Sequence, residues 1–84
     1  MKDLRTVLRG ELAARFNIPE SFDDDSGLFS GGLIDSLSVM ELVGVVEKCI
    51  GCQIPPAQIT LENFDTVNRI LRYAEKLTAT RGAG

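Results

Sequence analysis

The sequence predicts an all-α protein: a small bundle of three main helices plus one short helix, with a long first loop. Three observations carry that expectation. Apolar residues recur at helical spacing in three separate segments. No segment alternates apolar and polar residues over a convincing strand length. Between the first two helical segments, residues 17–35 hold Pro19, three consecutive aspartates and three glycines with no sustained period, which reads as a loop. At 84 residues there is room for one domain, 1–84. Its ordered part is expected over about residues 2–77, with a small polar tail from Thr78 to Gly84 frayed.

In the first helix, from about Lys2 to Phe16, Leu4, Val7, Leu8, Leu12 and Phe16 share one side, with Lys2, Arg5, Arg9 and Arg15 largely on the other. Asn17, followed by Pro19, is the expected stop. A loop this long inside so small a domain needs pinning by its own side chains, and Ile18, Phe22, Leu28, Phe29, Leu33 and Ile34 are the candidates. Phe29 and Leu33 are expected to dock on the core and so fix where Ser36 emerges. The second helix should run from Ser36 to about Ile50, capped by Asp35 or Ser36 and closed by Gly51. Val39, Leu42, Val43, Val46 and Ile50 form its core stripe. Leu37, Met40, Glu41, Gly44, Glu47 and Lys48 form a second stripe under Ser36, which reads as a docking surface or as the ordinary edge of a partly buried helix. Pro56 can open a short helical turn through Ile59, and Ile54, Ile59, Leu61 and Phe64 should seal one end of the bundle. Asp65 is placed as the cap of the last helix, where Val67, Ile70, Leu71, Ala74 and Leu77 keep helical spacing.

Composition excludes several classes. With 12 acidic and 9 basic residues the net charge is −3, and from Asn17 to Glu47 there is no base among Glu20, Asp23, Asp24, Asp25, Asp35, Glu41 and Glu47. An acidic middle suits basic protein partners and opposes nucleic-acid binding. No run of about 18 apolar residues and no charged-then-apolar leader occurs, so the chain is expected to be cytoplasmic and not in a membrane. There is no histidine, which removes a Ser-His-Asp hydrolase, and no glycine-rich loop with lysine for nucleotide hydrolysis. No catalytic residue and no metal site is expected. Asp23, Asp24 and Asp25 read as solvated surface, with weak divalent-ion binding as the alternative. Cys49-Ile50-Gly51-Cys52 has redox or metal spacing, but a helix C-terminus disfavours thiolate and two cysteines cannot close a tetrahedral zinc site. Reduced structural thiols are the expectation.

The stretch Gly31-Gly32-Leu33-Ile34-Asp35-Ser36-Leu37 remains. Its bland reading is a capped helix; its sharper one is that Ser36 is a covalent attachment point, where the positive end of a helix dipole favours a phosphate. Asp35-Ser36-Leu37 follows a long loop with Leu28-Phe29 and a glycine pair. Glu41-Leu42, Ile54-Pro55 and Phe64-Asp65-Thr66-Val67 come after it. In this combination and spacing, from about Leu4 to Leu77, the chain resembles the acyl and peptidyl carrier proteins. The resemblance implies that Ser36 receives 4′-phosphopantetheine from coenzyme A by a magnesium-dependent phosphopantetheinyl transferase. The arm's thiol then holds an acyl, aminoacyl or peptidyl group as a thioester. In that family's terms Asp35 belongs to the signature, and Leu37, Met40, Glu41, Gly44 and Glu47 to partner docking. The implied partners are the transferase, an acyl- or aminoacyl-loading enzyme, and a downstream synthase, tailoring enzyme or thioesterase. The chain itself is then a non-catalytic, free-standing, monomeric carrier.

Two departures bear on the pathway. The signature reads Gly-Leu-Ile-Asp-Ser-Leu where fatty-acid carriers more often have Gly-Ala-Asp-Ser-Leu-Asp, and Ser38, Lys48 and Cys49 replace residues that tend to be acidic there. Both resemble carriers of polyketide or nonribosomal peptide (antibiotic-type) biosynthesis; fatty-acid synthesis is the alternative. The rival functions are an unmodified helical adaptor and a metal- or redox-responsive protein using Cys49 and Cys52.

Overall fold

The computed structural model describes residues 3–19 and 21–82, with side chains described through Ala79. The expected helix start at Lys2, Glu20 in the acidic stretch, and the last two residues, Ala83 and Gly84, lie outside the described residues. Every regular element among the described residues is helical. They are α1 (Leu4–Phe16), a 3-10 turn (Ser36–Ser38) leading into α2 (Val39–Ile50), a second 3-10 turn (Pro56–Gln58), α3 (Leu61–Phe64) and α4 (Val67–Gly82). This is the all-α bundle of three main helices and one short helix. Helix α1 packs on α2 and α4, and α3 packs on α4.

The helix ends follow from local chemistry. Asp3 caps α1, accepting from the Arg5 N–H at 3.3 Å and the Thr6 hydroxyl at 3.0 Å. Asn17 ends it in the left-handed conformation at φ 56°, which asparagine tolerates. Gly51 does the same for α2 at φ 72°, its N–H bonding Glu47 O at 2.8 Å. The α-helical part of α2 begins at Val39, later than the expected Ser36. Ser38 N–H bonds Asp35 O at 2.8 Å, and Val39 N–H bonds Ser36 O. Those i→i+3 bonds wind the first turn tighter than an α-helix. Helix α4 continues past Leu77 to Gly82; Thr78 donates its hydroxyl to Ala74 O at 2.9 Å and so remains compatible with the helix.

The core draws on all four α-helices. Leu8 and Leu12 from α1, Leu42, Val43 and Val46 from α2, Phe64 from α3, and Val67, Ile70 and Tyr73 from α4 join Ile18, Leu28, Ile34 and Ile54 from the connections. Phe64 and Tyr73 stack at a tilt, with ring centroids 5.6 Å apart. The Tyr73 hydroxyl donates to Gln58, tying the second 3-10 turn to α4. Ile18, Leu28 and Ile34 are buried pins of the long loop, as expected, and Phe22 and Phe29 pack partly against the core. Leu33 and Leu61 are not buried: they are 42% and 56% exposed. At Leu33 the reason is local. Gly32 reverses the chain at φ 76°, and the next residue but one, Ile34, takes the inward position.

Candidate functional site

Ser36 is exposed and stands at the first position of the 3-10 turn that opens α2. Of the two caps the sequence allows, Asp35 is the one used: its Oδ1 accepts from the Leu37 N–H at 3.0 Å. With Ser38 and Val39 bonded to the carbonyls of Asp35 and Ser36, three of the first N–H groups are already paired. A phosphate on Ser36 would therefore gain chiefly from the dipole of α2, with less from free N–H groups than the capped-helix reading implies. No histidine exists to activate this hydroxyl.

The position of Ser36 is set by the loop before it, and that loop is held by a residue expected elsewhere. Asp65 does not cap α4. Thr66 does, its Oγ1 accepting from the Arg69 N–H at 3.0 Å. Asp65 is only 8% exposed, and its carboxylate turns to the loop. Oδ1 accepts from the N–H groups of Phe29 at 3.0 Å and Ser30 at 2.9 Å, and Oδ2 accepts from the Ser30 hydroxyl at 2.7 Å. The Asp65 carbonyl takes the Leu28 N–H at 2.5 Å. The chain must come very close to achieve this. A Cβ on Gly27 would stand 2.0 Å from Ser30 Oγ, and one on Gly31 would stand 2.4 Å from Gly27 O. Burial alone would raise the Asp65 pKa, but the hydrogen bonds from Ser30 and Phe29, with the Arg69 charge, outweigh it and hold the carboxyl below its ordinary value. The sequence carried a signal for the cap, though not for the contact of Asp65 with the loop. The apolar period of α4 starts at Val67, so Thr66 sits at the capping position and Asp65 is left over.

The aspartate run is also engaged rather than simply solvated. Asp24 pairs with Arg9, and with Arg5 at 3.4 Å. Asp25 accepts from the Asn68 side-chain amide at 2.6 Å, while Asp23 accepts from the Asp25 N–H at 3.0 Å. The loop is thus stitched to α1 and α4. Among the described residues no cluster of three or more His, Cys, Asp or Glu could hold a metal ion. Cys49 is exposed and Cys52 half-buried; both are free thiols, and Cys52 donates to Ile50 O at 3.7 Å.

Leu37 at 87% exposure and Met40 at 61% flank Ser36 as an apolar surface, with Leu33 beside them in the chain. Glu41 is about half exposed and lies 3.7 Å from Arg15 of α1. Glu47 is not part of an open face: its carboxylate accepts from the Ile54 N–H at 2.7 Å and closes the turn after α2. Gly44 is exposed, and a Cβ built there meets nothing within 4 Å, which removes tight internal packing as its reason. Gly44→Ala should therefore stabilise the unmodified chain by about 0.5–1 kcal/mol, raising its thermal midpoint by about 3–6 °C. If Gly44 leaves space for an arm or a partner, the same variant should be modified or loaded more slowly. A lowered midpoint in a thermal melt would show that the open space is wrongly placed.

Comparison with known proteins identifies the family. The family profile described as "Phosphopantetheine attachment site" matches residues 6–74. The D-alanyl carrier protein of Abiotrophia defectiva is 35% identical over 57 residues, covering 68% of this chain and 72% of that protein. The D-alanyl carrier protein of Streptococcus equi subsp. zooepidemicus (strain MGCS10565) is 30% identical over 61 residues, covering 73% of this chain and 75% of that one.

Proposed function

The chain belongs to the family of phosphopantetheine-bearing carrier proteins, and from that premise we propose that Ser36 is its attachment residue and that its cargo is a small aminoacyl group. Members of this family are non-catalytic: they are substrates of a phosphopantetheinyl transferase and of loading enzymes. When attached, the arm supplies a thiol on a long tether that holds cargo as a thioester. The observation that carries the assignment is the exposed Ser36 in a capped turn, fixed by the anchored loop and flanked by exposed Leu37 and Met40. These features fit an arm that must leave the surface and a partner that must reach the serine.

The cargo reading rests on the relatives, which are D-alanyl carriers. They favour the aminoacyl part of the expected range over polyketide or fatty acyl groups. Among the described residues no helix is long and apolar enough to cross a membrane. The test is an intact-mass measurement on the chain with coenzyme A and a promiscuous transferase, followed by the loading enzyme of a D-alanyl carrier. One phosphopantetheine and then one aminoacyl thioester are expected. Modification without aminoacylation, combined with acylation by an acyl-loading enzyme, would reverse the cargo assignment.

The internal ties alter which acids can steer a partner. Asp24, Asp25 and Glu47 are committed; Glu41, half exposed and 3.7 Å from Arg15, is the acid of the second stripe that still faces solvent and a basic partner surface. Glu41→Lys should slow modification or loading most at low salt, with the difference shrinking once screening reaches about 8–10 Å. Glu47→Ala should instead lower stability by about 1–2 kcal/mol, because it strips the Ile54 N–H of its acceptor. Rates indifferent to salt and to Glu41→Lys would assign recognition to Leu37 and Met40 by packing alone.

A further inference from the structure

We infer that Asp65 is a positioning residue for the modification of Ser36, acting through the loop that delivers the serine. This rests on Ser36 being the attachment residue. The connection can be followed bond by bond. Asp65 O holds Leu28 N–H at 2.5 Å, and Leu28 O in turn holds Ile34 N–H at 2.8 Å. Ile34 is buried, and the next residue, Asp35, caps the turn that begins with Ser36. The Asp65 carboxylate fixes the middle of the same loop through Phe29 N–H, Ser30 N–H and Ser30 Oγ. With the Gly32 N–H bonded to Phe29 O at 3.1 Å, hydrogen bonds thus run through residues 28–34, four of them converging on one buried aspartate. With Gly27 and Gly31 packed too closely to admit a Cβ, the loop has little freedom to drift while these bonds hold. A reacting hydroxyl displaced by about 1 Å can lose a hundredfold in rate, so this anchorage bears directly on transfer.

Exposed Leu37 and Met40 follow Asp35 in the chain, whereas the anchored loop precedes it. Loosening the loop should therefore lower kcat for the transfer more than it raises the KM for the carrier. A residue that only stabilises the fold would not produce that split.

The experiment measures steady-state modification by a phosphopantetheinyl transferase with coenzyme A, at a temperature where circular dichroism shows each variant folded. Asp65→Ala should lose about tenfold in kcat. Ser30→Ala, which removes one of the bonds, should fall between it and the native chain. Asp65→Asn should recover most of the rate, because its amide oxygen can accept from the same two N–H groups. Ile70→Ala, a core truncation on α4, is the stability-matched control and should keep the native kcat. Native kcat in Asp65→Ala overturns the inference, as does an equal loss in Ile70→Ala. If Asp65→Ala does not fold, a native kcat in Ser30→Ala overturns it. A native chain that is never modified at Ser36 overturns the carrier reading and this inference together. A native chain modified at Ser36 with an indifferent loop overturns this inference alone.

Discussion

Ser36→Ala is expected to abolish the gain of phosphopantetheine completely while leaving stability within about 0.5 kcal/mol of the native chain. The second half follows from exposure and capping: the hydroxyl is on the surface, and Asp35, not Ser36, supplies the cap. The first half follows from where the other serines near the loop and turn stand. Ser30 has its hydroxyl bonded to Asp65, Ser26 and Ser38 are half-buried, and Ser21, though exposed, lies early in the loop, far from the start of α2. None of them combines exposure with the position before Leu37. Ser38→Ala, by contrast, should be modified at the native rate. Intact mass of the three proteins after incubation with coenzyme A and a transferase checks all of this at once. Mass gain persisting in Ser36→Ala would place the arm elsewhere, and its absence from the native chain across several transferases would sink the carrier reading.

The helices were legible because each buries one side, and burial on a helix leaves a period in the sequence. Leu8, Leu12, Leu42, Val43, Val46, Val67 and Ile70 are all expected from spacing and all buried. The stop at Asn17 and the cap at Gly51 were legible because left-handed conformations select those residue types. Ser36 is proposed as the attachment residue because a short motif sits at fixed offsets from the flanking elements. What remained hidden was how polar side chains are shared between segments far apart in sequence. Glu47 looks like one more exposed acid on a helix until the chain after Gly51 folds back and offers the Ile54 N–H. Asp24 looks solvated until α1 brings Arg5 and Arg9 alongside. Leu33 looks like a core residue because apolarity alone cannot tell which of two neighbours, Leu33 or Ile34, a turn points inward. For Glu47 and Asp24 the deciding fact is a tertiary partner, which no local pattern encodes.

Asp65 is the strongest instance, and it gives the second large expected effect. Asp65→Ala should destabilise the chain by about 3 kcal/mol, because it strips a charged acceptor from two N–H groups and a hydroxyl together. For a domain of this size that is a fall of roughly 15 °C in thermal midpoint. Asp65→Asn should cost less, since the amide keeps one oxygen toward the two N–H groups and loses only the charge. The pH dependence separates these contributions. The folded carboxyl is held below its unfolded value of about 3.9. A depressed carboxyl contributes stability that is fully present above the unfolded pKa and is lost as pH falls through the folded one. The advantage of the native chain over Asp65→Asn should accordingly be flat from pH 7 down to about pH 5 and shrink below about pH 4. Urea midpoints of both proteins across that range measure it. An advantage that does not change with acid would mean the charge adds nothing, leaving the hydrogen-bond geometry of the Phe29–Ser30 turn as the whole of what Asp65 contributes.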